Sequence, residues 1–277
     1  MTSTAPRTAR ATGIVDSNPL NQFLLESKSD KMICNELQAL SHLIFQHIEN
    51  HYHCLPAKGS YSALSSTLLT LGLEEKSSIP CGQLVKITLD PKTRLMALQH
   101  IITSVVFRSV AFSQDSPVSL LPASVSTFLQ EISPVERHRG SQEAFFLALT
   151  QWRQLSAFLL HPNRSERNPL TPHNATIAPR ARELIHKLEP FLDIFVDPKL
   201  RKNQQEHLED VTMECAKFGY LLFSQREELR MSFELGQERS GSTELVVCPG
   251  LDRVSDDQGK RYPVPQPICS PQMKSFK

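Results

Sequence analysis

Between Asp90 and Phe112 the chain reads DPKTRLMALQHIITSVVFRSVAF, and no other stretch limits its fold so strongly. Asp90 suits a helix cap, and Pro91 suits the first helical position, where a missing N–H costs nothing. Beyond Thr93 the apolar residues are Leu95, Met96, Leu98, Ile101, Ile102, Val105, Val106, Phe107, Val110 and Phe112. A helix that is apolar round most of its circumference needs neighbours on several sides. The fold class read from this is mainly α, a multi-helix bundle around a central buried helix at about residues 90–112. His100 and Arg108 interrupt the run, and it falls short of the ~20 apolar residues a spanning helix needs. No membrane span is expected.

Other segments carry helical periodicity. Ser29 or Asp30 caps a helix whose stripe is Ile33, Leu37, Leu40, Ile44 and Ile48, ended by Leu55-Pro56. Short helices are expected from Ser60 to Thr70 and from Pro80 to Leu89. Pro122 opens another, with Val125, Phe128, Leu129 and Ile132 inward. Ser141 caps the next, whose stripe of Phe145, Ala148, Leu149, Trp152, Leu155 and Leu159 places the lone tryptophan on a buried face. His161 to Pro179 is polar and proline-broken, a loop and a possible subdivision point near residues 161–179. A helix follows from Pro179, with Pro190 expected to kink or split it. Asp197-Pro198 repeats the Asp-Pro start signal, and Gly219 can cap the helix it opens.

After that helix the pattern turns β-like. Arg230 to Leu235 and Thr243 to Cys248 flank GQERSGS, which reads as a small C-terminal hairpin at about residues 230–248. The domain plan is a disordered start at 1–17, a helical domain at 18–248 ending in the hairpin, and a proline-rich polar tail at 249–277. That tail is expected extended or disordered; the alternative is docking across the bundle through Leu251, Val254 and Val264.

With 30 basic and 29 acidic side chains the chain has no strong field to attract nucleic acid or a charged partner. The 10 glycines argue against phosphate-cradling loops and a large all-β fold. The six cysteines include no C-x-x-C pair, and the start of the chain shows no apolar core of a secretory signal. Free thiols in an intracellular setting, cytoplasmic or nuclear, follow as the expectation. Arg7 and Arg10 among Ser, Thr and Ala give a mitochondrial presequence as the alternative.

Four phrases stand out together: QHIENHYH (Gln46 to His53), SLLP (Ser119 to Pro122), ALTQWRQLSAFLL (Ala148 to Leu160) and ELVVCPGLDRVSDDQG (Glu244 to Gly259). The set resembles a group of uncharacterised helical proteins of filamentous fungi, whose tail follows V-V-x-P-x-L-x-[KR]-V-x-D-x-x-G. The resemblance implies a mainly helical fold with a small β element. It carries no activity, cofactor or catalytic residue.

One constellation has metal-ligand spacing. His47 and His51 lie one helical turn apart on the same face, with Cys54 near the next turn and His42 and His53 close by. Two imidazoles at i and i+4 can share a Zn²⁺ or similar ion. The run is not H-E-x-x-H, because Glu49 sits one place late, turned about 100° further round the helix. Packing and the dipole at a helix end explain the same residues without a metal. Cys215 lies on an apolar stripe and reads as a small hydrophobe. Arg164, Arg167, Arg180, Arg182, Lys199, Arg201 and Lys202 read as solvated charge. Ser116, Ser133 and Ser270 precede prolines and could meet a proline-directed kinase.

No catalytic motif is present. The favoured function is a non-catalytic protein-interaction or scaffold domain whose partner is another protein, with no cofactor. The alternative is a metal-binding protein or metal-dependent enzyme centred on His47 and His51, with zinc as the ion.

Overall fold

The computed structural model describes residues 22–73, 79–113, 118–132, 139–233 and 244–276. The start at 1–17, Ser116 and Ser133 therefore lie outside the described residues. Among these residues eight α-helices precede five short strands, so the chain is mainly helical with a small antiparallel β element at its C-terminal end. No described helix is long and apolar enough to cross a membrane.

Helix α1 (Asp30–His51) starts where its cap predicts, with Ser29 accepting the Met32 N–H at 3.4 Å. It buries the stripe Ile33, Leu37, Leu40, Ile44 and Ile48. It ends at His51, before Leu55-Pro56. Helices α2 (Tyr61–Thr70) and α3 (Cys81–Leu89) pack on each other, and α3 packs on α4 (Arg94–Ser109). Every residue of α4 from Ala97 to Phe107 is buried, against α1, α3, α8 and strand β2.

The Asp-Pro signals work one step earlier than expected. Asp90 closes α3, and its carboxylate accepts the Lys92 N–H at 2.9 Å, so α4 begins at Arg94. Asp197 does the same for Lys199 at 2.9 Å, and α8 (Arg201–Ser224) begins at Arg201. In both places the aspartate makes a side-chain turn ahead of the helix instead of capping it. Arg94 is fully buried and donates to the carbonyls of His53, Leu55, Thr88 and Leu89, at 2.5 to 3.0 Å. A single guanidinium thus joins the chain after α1 to the end of α3.

Helix α5 (Ala123–Glu131) buries Val125 and Leu129. Helix α6 (Arg139–Leu160) begins ahead of Ser141 and does not bury the expected stripe. Thr150, Arg153, Gln154 and Ala157 face inward instead, while Trp152 is half-buried and Leu159 is 61% exposed. The reason is where α8 ends. Arg153 donates to the carbonyls of Phe223, Gln225 and Arg226, and Gln154 to those of Arg226 and Asp257. Carbonyls left open at a buried helix end require donors, and this outweighs apolar burial on α6. Trp152 instead stacks on Phe128, with ring centroids 3.8 Å apart.

Helix α7 (Asn174–Leu192) starts before Pro179 and continues through Pro190 without a break. The polar run ahead of it is pinned: Leu170 is buried and its N–H donates to Ser224 Oγ at 2.8 Å. Helix α8 runs through Gly219, which is not a cap. A Cβ at Gly219 would stand 2.6 Å from Val110 Cβ and 2.9 Å from its carbonyl oxygen. The glycine allows α8 to approach the end of α4 closely.

The strands pair differently from the expected hairpin. Strand β1 (Leu229–Ser232) pairs with β3 (Gly250–Ser255), and β2 (Glu244–Cys248) pairs with β5 (Gln272–Ser275), all antiparallel. Strand β4 (Arg261–Cys269) pairs with β3, giving the orders β1-β3-β4 and β2-β5. The arms β2-β3 and β4-β5 are one long ribbon, broken at the same level by Pro249 and by Pro271. Its tip is Asp256 to Lys260: Asp256 Oδ1 accepts the N–H groups of Gln258 and Lys260, and Gly259 has φ +88°. The D-x-x-G phrase is therefore a turn. Leu251 and Val254 are buried and Val264 is 74% exposed, so two of the three docking residues named from the sequence face inward.

The ribbon is held through side chains on the helices. The Val247 carbonyl accepts from Ser41 Oγ (3.0 Å), Thr103 Oγ1 (3.3 Å) and Gln99 Nε2 (3.4 Å). His100 Nδ1 lies 2.8 Å from the Val246 carbonyl. His100, one of the two residues that interrupt the α4 run, is where the ribbon docks.

Candidate metal centre

Helices α1 and α8 lie antiparallel. Lys28 N–H donates to Gln225 at one end of the pair, and Gln204 Nε2 donates to Tyr52 Oη at 2.7 Å at the other. This sets the C-terminal turn of α1 beside the second turn of α8, which brings His207 to His47 and His51. The three residues offer ligand atoms that all lie within 4.8 Å of one another. His47 and His207 stack at an interplanar angle of 7°, with their Nδ1 atoms 2.9 Å apart. The His51 ring centroid lies 4.8 Å from that of His47 and 5.1 Å from that of His207.

Burial is graded across the group. His47 is fully buried, and His51 and His207 are half-buried. The Tyr52 ring stands edge-on to His47 at 5.6 Å. Burial, followed by the neighbouring His51 and His207, pulls His47 down to about 3. Burial and His207 lower His51 as well. His47 is therefore neutral at physiological pH, the state in which imidazole ligates a metal.

One buried nitrogen of the group has no partner. His47 Nδ1 is engaged by His207, yet His47 Nε2 is buried with no hydrogen-bond partner. Moving the proton between the two ring nitrogens of His47 does not help: Nε2 is either a donor without an acceptor or a lone pair without a donor.

The donor set fits an ion of the zinc class. Three imidazoles suit Zn²⁺ and its neighbours in the first transition row. At a metal–nitrogen distance of ~2.0–2.1 Å a tetrahedral site needs nitrogens about 3.3 Å apart. The 2.9 Å edge between His47 and His207 must therefore open by roughly 0.4 Å. The C-terminal dipole of α1 favours a cation at His51, whereas His207 lies beyond the first turn of α8 and escapes the opposing N-terminal charge.

Of the residues singled out from the sequence, His47 and His51 are in the group. Cys54 is exposed and outside it; the chain leaves α1 at His51, and the third position belongs to His207. His42 pairs with Gln46, and the N–H of His53 donates to the Phe195 carbonyl. His207 carried one faint signal. It falls between Gln204 and Val211 on the face that leads to Leu208 and Cys215, so it stands on the inward side of α8. Cys215 is fully buried and its thiol is pushed up by burial, as expected of a core residue. The basic residues are dispersed into separate contacts, Arg167 with Glu26, Arg182 with Glu209 and Arg201 with Asp193, while Arg180 donates to the Ser119 and Leu121 carbonyls.

Compared with protein-family models, curated proteins and solved structures, the chain matches none, so a functional reading rests on the geometry of this centre.

Proposed function

We propose that the protein binds a divalent transition-metal ion of the zinc class through His47, His51 and His207. The observation that carries this reading is the convergence of three imidazoles from two helices, one of them fully buried and held neutral by that burial. A purely scaffolding role leaves this convergence unexplained. The ion would join the end of α1 to α8, with Tyr52 and Gln204 fixing the neighbouring backbone. Among the described residues no fourth His, Cys, Asp or Glu belongs to the group, so solvent or a small anion would supply the remaining position.

The test is metal content of the purified protein by mass spectrometry, with zinc titration by calorimetry on chelator-treated protein. Stoichiometric binding is expected, weakened at least ~10-fold in His207→Ala and in His51→Ala. Far-ultraviolet circular dichroism checks that both variants stay folded. Unsubstituted protein that takes up no Zn, Fe, Mn, Co, Ni or Cu, or folded variants that bind as the parent does, would refute the assignment.

A further inference from the structure

The bend of the ribbon gathers thiols. Pro249 and Pro271 interrupt its two arms at the same level, immediately after Cys248 and two residues after Cys269. Helix α1 crosses there and presents Cys34, whose Sγ donates to the Ile268 carbonyl at 3.1 Å. Cys269 follows Ile268 directly, so its thiol stands beside that of Cys34 and helps to raise its pKa. Cys269 is 8% exposed, Cys248 is fully buried, and Cys34 is half-buried. Cys34 is thus the member of this group that solvent reaches, and Cys269 is the thiol facing it.

We propose that Cys34 and Cys269 form a disulfide that ties the C-terminal ribbon covalently to α1. The oxidant is a low-molecular-weight disulfide such as oxidised glutathione. The Cys34 thiolate attacks one of its sulfurs, forming a mixed disulfide and releasing one thiol. The Cys269 thiolate then attacks the Cys34 sulfur and expels the second thiol. Two protein S–H bonds are replaced by one S–S bond, and the two electrons and two protons leave on the two small thiols. Cys248 stands beside Cys269 but is closed off from solvent; its Sγ, like that of Cys269, lies against the carbonyl of the following residue.

Two properties follow. Burial first, then Cys269, pushes Cys34 up to about 11, which keeps thiolate scarce at neutral pH. Closure is therefore slow near pH 7 and accelerates as the solution becomes alkaline. The bond also closes a loop spanning most of the chain, the arrangement that most restricts the unfolded state.

The experiment incubates the full chain with oxidised glutathione at neutral and mildly alkaline pH, followed by peptide mapping without reductant. The expected product is a Cys34–Cys269 cross-linked peptide that forms faster at the higher pH. The oxidised protein should unfold several degrees higher, and a reductant should reverse the shift. Cys34→Ser and Cys269→Ser should each abolish the cross-link, and Cys248→Ser should leave it. Glutathione retained on Cys34 without closure, or a Cys248–Cys269 bond as the main product, would overturn the assignment. So would unchanged thiols at both pH values. The map of the unsubstituted protein decides the question even where a variant fails to fold.

Discussion

Acid should destabilise this protein through two histidines that are buried neutral. In the unfolded chain both titrate near 6.5, whereas His47 is pulled down to about 3 and His100 to about 4, in each case chiefly by burial. Below 6.5 the unfolded state takes up protons that the folded state refuses, so stability present at pH 7 is lost as the pH falls toward the folded values. Between pH 7 and pH 5 each site contributes a loss of ~2 kcal/mol, or ~4 kcal/mol together. Burial raises the carboxyls of Glu36 and Asp193, whose cost in the charged form eases on acidification and offsets part of this loss. Comparison with variants removes that common background. The assay is urea unfolding of chelator-treated protein at pH 7 and pH 5, followed by circular dichroism. His47→Gln and His100→Gln should each flatten the difference between the two pH values by ~2 kcal/mol, whatever they do to stability at pH 7. Folded variants with the parent's full pH dependence would refute the reasoning.

Two substitutions test the packing. Gly219→Ala would gain the ~1 kcal/mol of helix propensity that alanine has over glycine, but it places a methyl 2.6 Å from Val110 Cβ. Overpacking at ~1–3 kcal/mol should win, and thermal unfolding should show a lower midpoint; a rise would mean that α4 and α8 separate freely. Arg94→Met fills similar volume but leaves the carbonyls of His53, Leu55, Thr88 and Leu89 without their donor. A loss of at least ~3 kcal/mol in urea unfolding is expected, and a near-neutral result would show that these carbonyls reach water.

Much of the helical part was legible because its signals are local. The stripe and serine cap of α1, the proline opening α5 and the all-round apolar run of α4 each act within a few residues of themselves. The spacing of His47 and His51 was legible for the same reason, one helix placing both on one face. The misreadings share the opposite cause. Arg153 and Gln154 point inward because α8 ends beside α6, and no pattern within α6 reports that. Gly219 reads as a stop signal until Val110 stands against it. The hairpin was placed too early because β-like runs do not announce their partners. The tail was read as extended or disordered because it is polar and rich in proline, and nothing local reports that Asp256 to Gly259 turns the chain back on itself.

By itself the sequence determined that the chain would be mainly helical with a β element at its end, and that two histidines would share a face. Helix periodicity, caps and spacing act over one or two turns, and they survive in any tertiary arrangement. Only the tertiary structure decided that His207 joins them and that Cys34 meets Cys269. It also decided which strands pair, and that α6 turns polar groups to the core. Those outcomes depend on residues from 70 to more than 200 positions apart, brought together when α1, α8 and the ribbon pack. A linear pattern holds no record of which distant surface will face it.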